Sequence, residues 1–268
     1  MKRCRLVATD LDGTLLRDDR ALSARTRRAL GLASAAGAEV VLVTARPPRF
    51  VDALAEAHGL TGTAVCSNGA LVYDIASRTV ISSRTLSVGL ARRIAGSLAQ
   101  ALPGIGFAVE TGHRVLHAPG YGLRLPEDSG AEFAVAALDD LWSAGAPVVK
   151  LLAWSPVFDA DAMVAAAGHA VGPVAHVTHS GGTGLLEISA AGVTKADTLS
   201  ALCAERGIEA AEVVAFGDMP NDLSVLHWAG AGYAVANAHP TVLSAVARHT
   251  ASNEEDGVAA VLERLFTA

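Results

Sequence analysis

Residues 5–9 form a short apolar run that stops at Asp10, Asp12 and Gly13, the pattern of a buried parallel strand ending in a turn. Ser23 stands where an N-cap belongs, ahead of a helix carrying Leu22, Thr26, Leu30 and Ala33 along one side, and Gly37 stands where the helix should stop. Residues 39–44, with four consecutive aliphatic residues at their heart, predict a second strand. Residues 50–58 predict a helix and 64–67 a third strand. The same alternation returns near the end of the chain. A helix over 195–206 turns Leu199, Leu202 and Cys203 inward and stops at Gly207. A strand over 213–216 ends at Gly217-Asp218, and helix, strand and helix follow at 223–226, 233–235 and 258–265. Strand and helix in strict alternation predict an α/β fold built on a doubly wound parallel sheet.

The middle has a different texture. From 83 to 186 glycine and proline recur every few residues, apolar runs are short (148–153 and 185–188), and two helices are expected near 88–101 and 159–168. This stretch reads as an α+β insertion between two halves of one sheet domain, giving residues 1–82 and 187–268 as the core and 83–186 as the insertion.

Composition narrows the class. Just over half of the 268 residues are apolar, yet only 4% are aromatic, so the core must come from closely packed helices on a sheet with few large side chains. The formal charge of -6 and the lack of a Lys/Arg-rich block argue against a nucleic-acid partner. Asp10 and Asp12 interrupt the opening apolar stretch too early for a signal peptide, and no run reaches the ~18 apolar residues of a spanning helix. Cys4, Cys66 and Cys203 form no metal or redox spacing and read as buried hydrophobes of a reducing, cytoplasmic compartment. Composition leaves the oligomeric state open.

The chemistry concentrates at strand ends. Asp10-Leu11-Asp12-Gly13-Thr14 follows an apolar strand, so both carboxylates are expected beyond the carboxyl edge of the sheet, where open α/β folds bind ligands. Gly217-Asp218-Met219-Pro220-Asn221-Asp222 brings a second acidic pair to the same edge. Thr44 ends another strand, placing its hydroxyl and the Ala45 amide at the cleft. Lys195 opens a helix, where the macrodipole disfavours a cation, so an anionic neighbour is expected there. Each feature alone is also ordinary turn or capping chemistry. Four of them on one predicted sheet edge are not.

Taken together, Asp10-x-Asp12-Gly13-Thr14, Thr44-Ala45-Arg46, Lys195 and Gly217-Asp218-x-x-Asn221-Asp222 resemble the four motifs of the haloacid dehalogenase superfamily. Ser67-Asn68-Gly69-Ala70, the stretch from Leu186-Glu187-Ile188 to Lys195, Asn237-Ala238 and Asp256-Gly257-Val258 are similar to its Cof-like hydrolase branch. The resemblance implies a Rossmann-like core with an inserted α/β cap that sets specificity, and magnesium-dependent hydrolysis of a small phosphorylated metabolite, sugar phosphates foremost. It implies Asp10 as nucleophile and Asp12 as general acid and base. It implies Thr44, Ala45, Arg46, Lys195 and Asn221 on the phosphate or substrate, and Asp10, the Asp12 carbonyl, Asp218 and Asp222 around the metal. The branch usually has glycine where Ala45 stands, which matters only if the backbone there needs a positive φ. An aspartate at position 12 favours phosphoryl chemistry over dehalogenation, because a halide leaving group needs no proton. Two alternatives remain: a phosphomutase on the same scaffold, and a non-catalytic protein that binds phosphometabolites.

Other features read plainly. Ser180-Gly181-Gly182-Thr183-Gly184 lacks the Gly-Lys-Ser/Thr ending of a phosphate-binding loop and is expected to join two cap strands. His113, His117, His176 and His179 lack a metal spacing, and Trp142 and Trp154 are expected to pack within the cap.

Overall fold

The computed structural model describes residues 3–125, 128–143, 145–181 and 184–267. The chain opens with β1 (Leu6–Thr9), α1 (Ala24–Ala35), β2 (Glu39–Val43), α2 (Pro48–His58), β3 (Thr63–Cys66), β4 (Leu71–Asp74) and β5 (Thr79–Ser83). The middle supplies α3 (Val88–Ala101), β6 (Gly106–Glu110), β7 (Val115–His117), β8 (Glu132–Ala134) and α4 (Asp140–Ser143). It continues with β9 (Lys150–Trp154), α5 (Ala160–Val171), β10 (Ala175–Thr178) and β11 (Leu185–Ala190). The chain then returns through α6 (Lys195–Glu205), β12 (Val213–Gly217), α7 (Leu223–Trp228), β13 (Ala231–Ala234), α8 (Pro240–Ala245) and α9 (Gly257–Phe266).

These strands make two sheets. The first runs β13-β12-β1-β2-β3-β4-β5. Its first five strands are parallel, while β4 and β5 add to the edge in antiparallel register. One face buries Val7, Leu42, Val214 and Phe216 against α1, α2 and α9; the other buries Leu6, Val41, Val43 and Ala215 against α6, α7 and α8. Ala29, Ala33 and Ala259 are fully buried between α1 and α9, so small side chains let those helices approach closely, as the alanine-rich composition requires. The α/β expectation holds. The antiparallel edge was not indicated by the apolar pattern, because β5 is exposed along its whole length and carries no buried stripe. The turn at residues 67–70 is too short for a crossover, so β4 has to run back along β3.

The second sheet runs β10-β11-β9-β6-β7-β8 and is antiparallel except between β7 and β8. Alternation gives it two distinct faces. Phe107, Val109, Leu151, Ala153, Leu186 and Ile188 pack under α3 and α5. Glu110, Lys150, Leu152, Leu185 and Glu187 face the carboxyl edge of the first sheet. The boundary expected at 186/187 falls inside β11, whose pairing with β9 and β10 carries it wholly in the second sheet. A continuous apolar strand offers no local mark of the sheet it joins.

In the first sheet the chain proceeds from β1 to β2 on one side and returns to β12 on the other. The carboxyl ends of β1 and β12 therefore flank the topological switch point.

Candidate active site

Asp10 follows β1 and Asp218 follows β12, so strand pairing alone brings them together across the switch point. The next turn is tight because Gly13 takes φ +71°, and a Cβ there would lie 2.5 Å from Asp218 Oδ2. Thr14 donates its hydroxyl to Asp218 Oδ1 at 2.8 Å, and Asn237 holds the Gly13 carbonyl at 2.7 Å.

Lys195 explains its odd position at the start of α6. Only 1% exposed, it donates through Nζ to Asp10 Oδ1 at 2.7 Å and to Asp222 Oδ1 at 2.6 Å. The other Asp222 oxygen accepts the backbone amides of Asp218 and Met219, both at 3.0 Å, closing the turn that starts α7. Burial pushes the Asp10 carboxyl well above the ordinary carboxylate value; Lys195 opposes this, and Asp222 and Asp218 reinforce it. Burial and the Asp222 charge raise Asp218 to about 7, against the Thr14 hydroxyl and Lys195. Burial alone would lower Lys195, but Asp10 and Asp222 together raise it.

Oxygen atoms of Asp10, Asp218 and Asp222 lie within 4.8 Å of one another. Three carboxylates against one ammonium leave a surplus of buried negative charge. An all-oxygen donor set of this size fits a hard divalent cation such as magnesium. The Asn221 Oδ1 atom, buried without a hydrogen-bond partner in the neighbouring wall, adds a further acceptor.

Four carboxylates were expected to converge, and three do. The Asp12 side chain turns instead to Arg46, which grips it through Nε at 2.9 Å and Nη2 at 3.0 Å. Arg46, which the resemblance placed on the phosphate or substrate, thus reaches a carboxylate of its own core. Its guanidinium also lies over the Phe50 ring, 4.7 Å from the centroid.

The wider cleft has a volume of about 340 Å³. Asp10, Asp12, Thr44, Ala45, Arg46 and Asn221 line it from the first sheet, while Lys195, Asp218 and Asp222 stand behind Asp10. Ala45 has no positive φ, so alanine in the usual glycine position costs no backbone strain. The Thr44 hydroxyl accepts the Arg46 amide at 3.0 Å. Asn221 donates through Nδ2 to Asn68 at 3.0 Å, which fixes its amide in the wall.

From the second sheet come Val115, Tyr121, Leu152 and Leu185, an apolar wall broken by Glu110, Lys150 and Glu187. Arg49 on α2 reaches across to Glu110 (3.0 and 2.8 Å) and to Asp128 (3.0 and 2.6 Å). Sequence reading assigned no site role to Arg49, Lys150 or Glu187. Lys150 and Glu187 did carry a signal, each being a lone charge inside an apolar strand run. Ser180 and Gly181 line the cleft at the end of the loop joining β10 to β11, so that loop does connect two strands; Gly182 and Thr183 lie outside the described residues. His179 is buried and bonded to Asp161, and Trp154 packs edge-on against Tyr121. The three cysteines are free and buried.

The family profile of haloacid dehalogenase-like hydrolases matches residues 7–262. The chain belongs to that family. Its relatives are named as phosphatases. The 5-amino-6-(5-phospho-D-ribitylamino)uracil phosphatase YitU of Bacillus subtilis is 27% identical over 98% of this chain and 97% of its own length. The pyridoxal phosphate phosphatase YbhA of Escherichia coli is 27% identical over 95% and 96%. The structure of a haloacid dehalogenase-like hydrolase from B. subtilis superposes with a TM-score of 0.84 at 25% identity, covering 97% of this chain and 99% of that one. Among the described residues, no helix is long and apolar enough to cross a membrane.

Proposed function

We propose that this hydrolase cleaves phosphate monoesters of small metabolites, with Asp10 as the nucleophile. The observation that carries this reading is the placement of the Asp10 carboxylate, open to the cleft on one side and held by Lys195 at 2.7 Å on the other. One oxygen is anchored, so the carboxylate is aimed before substrate arrives.

Asp10 attacks phosphorus, forming an aspartyl phosphate (an acyl phosphate) as the bond to the leaving oxygen breaks. Asp12 supplies the proton that the leaving oxygen takes. It then accepts a proton from water, whose oxygen attacks phosphorus and releases Asp10 and inorganic phosphate. Lys195, the Thr44 hydroxyl, the Ala45 amide and the Asn221 amide donate to the transferring oxygens. Asp10, the Asp12 carbonyl and Asp218 would hold magnesium, with Asp222 orienting them. The ion would supply positive charge to the phosphoryl oxygens.

The second sheet acts as the cap and selects the leaving group. Apolar Tyr121, Leu152 and Leu185 suit the carbon face of a sugar or a flat ring, and Glu110 and Asp128 accept hydrogen bonds from its hydroxyl or amino groups. The ring systems in the names of YitU and YbhA suit the same wall. Arg49 and Lys150 are already bound by Glu110, Asp128 and Glu187, which weighs against the phosphomutase alternative, since a mutase must hold a second phosphate on that side. A nucleophile aimed by a buried lysine weighs against a protein that merely binds phosphometabolites.

An initial-rate screen with magnesium tests the proposal. Sugar phosphates, pyridoxal phosphate and p-nitrophenyl phosphate should release inorganic phosphate, and phosphoproteins should not. Isomerisation without phosphate release would favour the mutase; no turnover of any ester would overturn the reading.

A further inference from the structure

Three successive carbonyls of the loop after β2 each have their own donor. The Asn68 amide donates to Thr44 O at 3.1 Å, Lys150 Nζ to Ala45 O at 2.8 Å, and the Ser67 amide to Arg46 O at 3.0 Å. The outer two donors come from the turn after β3, within the first sheet. The middle donor does not. Lys150 belongs to β9 of the second sheet, and its side chain is nearly fully buried.

A second bond holds Lys150 in place. Its ammonium lies 2.5 Å from Glu187 Oε1, on β11. The other Glu187 oxygen accepts Asn68 Nδ2 at 3.0 Å, and Asn68 Oδ1 accepts Asn221 Nδ2 at 3.0 Å. Buried polar groups thus form a continuous path from the second sheet through the 67–68 turn to the wall of the cleft. Each member is satisfied toward the next, so moving one displaces the others.

The planarity of the peptide gives this path a consequence. The Ala45 carbonyl and the Arg46 amide share one trans unit and point in opposite directions. Holding the carbonyl on Lys150 therefore directs the Arg46 amide, which donates to the Thr44 hydroxyl oxygen at 3.0 Å. That bond occupies the hydroxyl as an acceptor and leaves its proton for an anion in the cleft.

We propose that Lys150, held by Glu187, is a positioning residue for the phosphate-receiving loop, setting its geometry only while the second sheet stands over it. Closure of the cleft and readiness of the loop become one event. This inference rests on the phosphatase reading of the site.

The test uses the full chain. Lys150→Met alone would strand the Glu187 charge, so the variant is Lys150→Met/Glu187→Gln, which keeps an acceptor for Asn68 while removing the donor to Ala45. Binding of inorganic phosphate, measured by calorimetry with magnesium present, should weaken on the order of tenfold or more. The KM for p-nitrophenyl phosphate should rise with it. Lys150→Arg, which keeps a charged donor, should retain most of the phosphate affinity. If the double variant does not fold, Lys150→Gln/Glu187→Gln carries the same test, the amide at position 150 being one bond too short to reach Ala45. Wild-type phosphate affinity in a folded variant would overturn the positioning role and leave the phosphatase reading intact. A wild-type chain that binds no phosphate and turns over no ester would overturn both.

Discussion

Arg46 and Asp12 face each other fork to carboxylate, with Nε 2.9 Å from one oxygen and Nη2 3.0 Å from the other. A two-pronged contact fixes the plane of the carboxylate as well as its position, and Phe50 beneath the guanidinium fixes the arginine in turn. Asp12 is the residue proposed to move the proton, and under that proposal Arg46 would set the direction in which it does so.

Arg46→Lys replaces the fork with a point charge on a flexible stem. We expect kcat for alkyl phosphates to fall about tenfold, a part of the ~10²–10⁴ that acid–base catalysis supplies. p-Nitrophenyl phosphate, whose leaving group needs little protonation, should lose much less. Steady-state kinetics on the two esters checks this; equal losses would mean that Arg46 binds substrate rather than orienting Asp12.

What the sequence made legible divides along a physical line. Asp10, Thr44, Lys195 and Asp218 stand out in the sequence because each sits at a strand end or helix start, where local chemistry marks the position. Lys195 was the clearest case, a cation at a helix start that only an anionic neighbour could justify. Lys150 meets Glu187 and Ala45 across 37 and 105 residues of chain, and Arg49 meets Glu110 across 61, and no local pattern encodes such pairings. The edge strand β5 was lost for a related reason, since a strand with no buried face has no hydrophobic alternation to show.

The carboxylate cluster predicts a metal-dependent rise in stability. Magnesium at a hundred times its dissociation constant should stabilise the folded chain by about 2.7 kcal/mol, seen as a higher midpoint in thermal unfolding. Asp218→Asn should remove most of this rise. Chelator should abolish turnover, with magnesium restoring it and the larger calcium ion restoring much less.

Lys195→Met leaves Asp10 and Asp222 facing each other without their shared cation. Removing one member of a buried ion pair costs about 3–5 kcal/mol, and we expect a loss of that size by urea unfolding in the absence of metal. A loss below about 1 kcal/mol would show that these carboxylates do not depend on the lysine.

Glu187 should give the chain an acid-sensitive contribution to stability. Burial pushes its carboxyl up, but the Lys150 charge and hydrogen bonds from Lys150, Asn68 and Ser180 outweigh this and hold it below the ordinary value of 4.5. The unfolded chain then binds more protons, so the contribution is complete above the ordinary value and is lost as pH falls through the depressed one. Between about pH 5 and 3 the unfolding free energy of the wild type should fall more steeply than that of Glu187→Gln. Parallel curves would contradict the depressed value.

The central claim is that Asp10 carries the phosphoryl group, and chemical trapping reads it directly. Acid quenching during turnover, followed by borohydride, reduces an aspartyl phosphate to homoserine and leaves free carboxylates untouched. Peptide mapping should find homoserine at position 10 in the wild type, and none in Asp10→Asn, which should be folded but turn over esters at less than about a hundredth of the wild-type rate, given the ~10⁶-fold or greater acceleration that enzymes provide. Homoserine at another position, or full turnover by Asp10→Asn, would contradict the assignment.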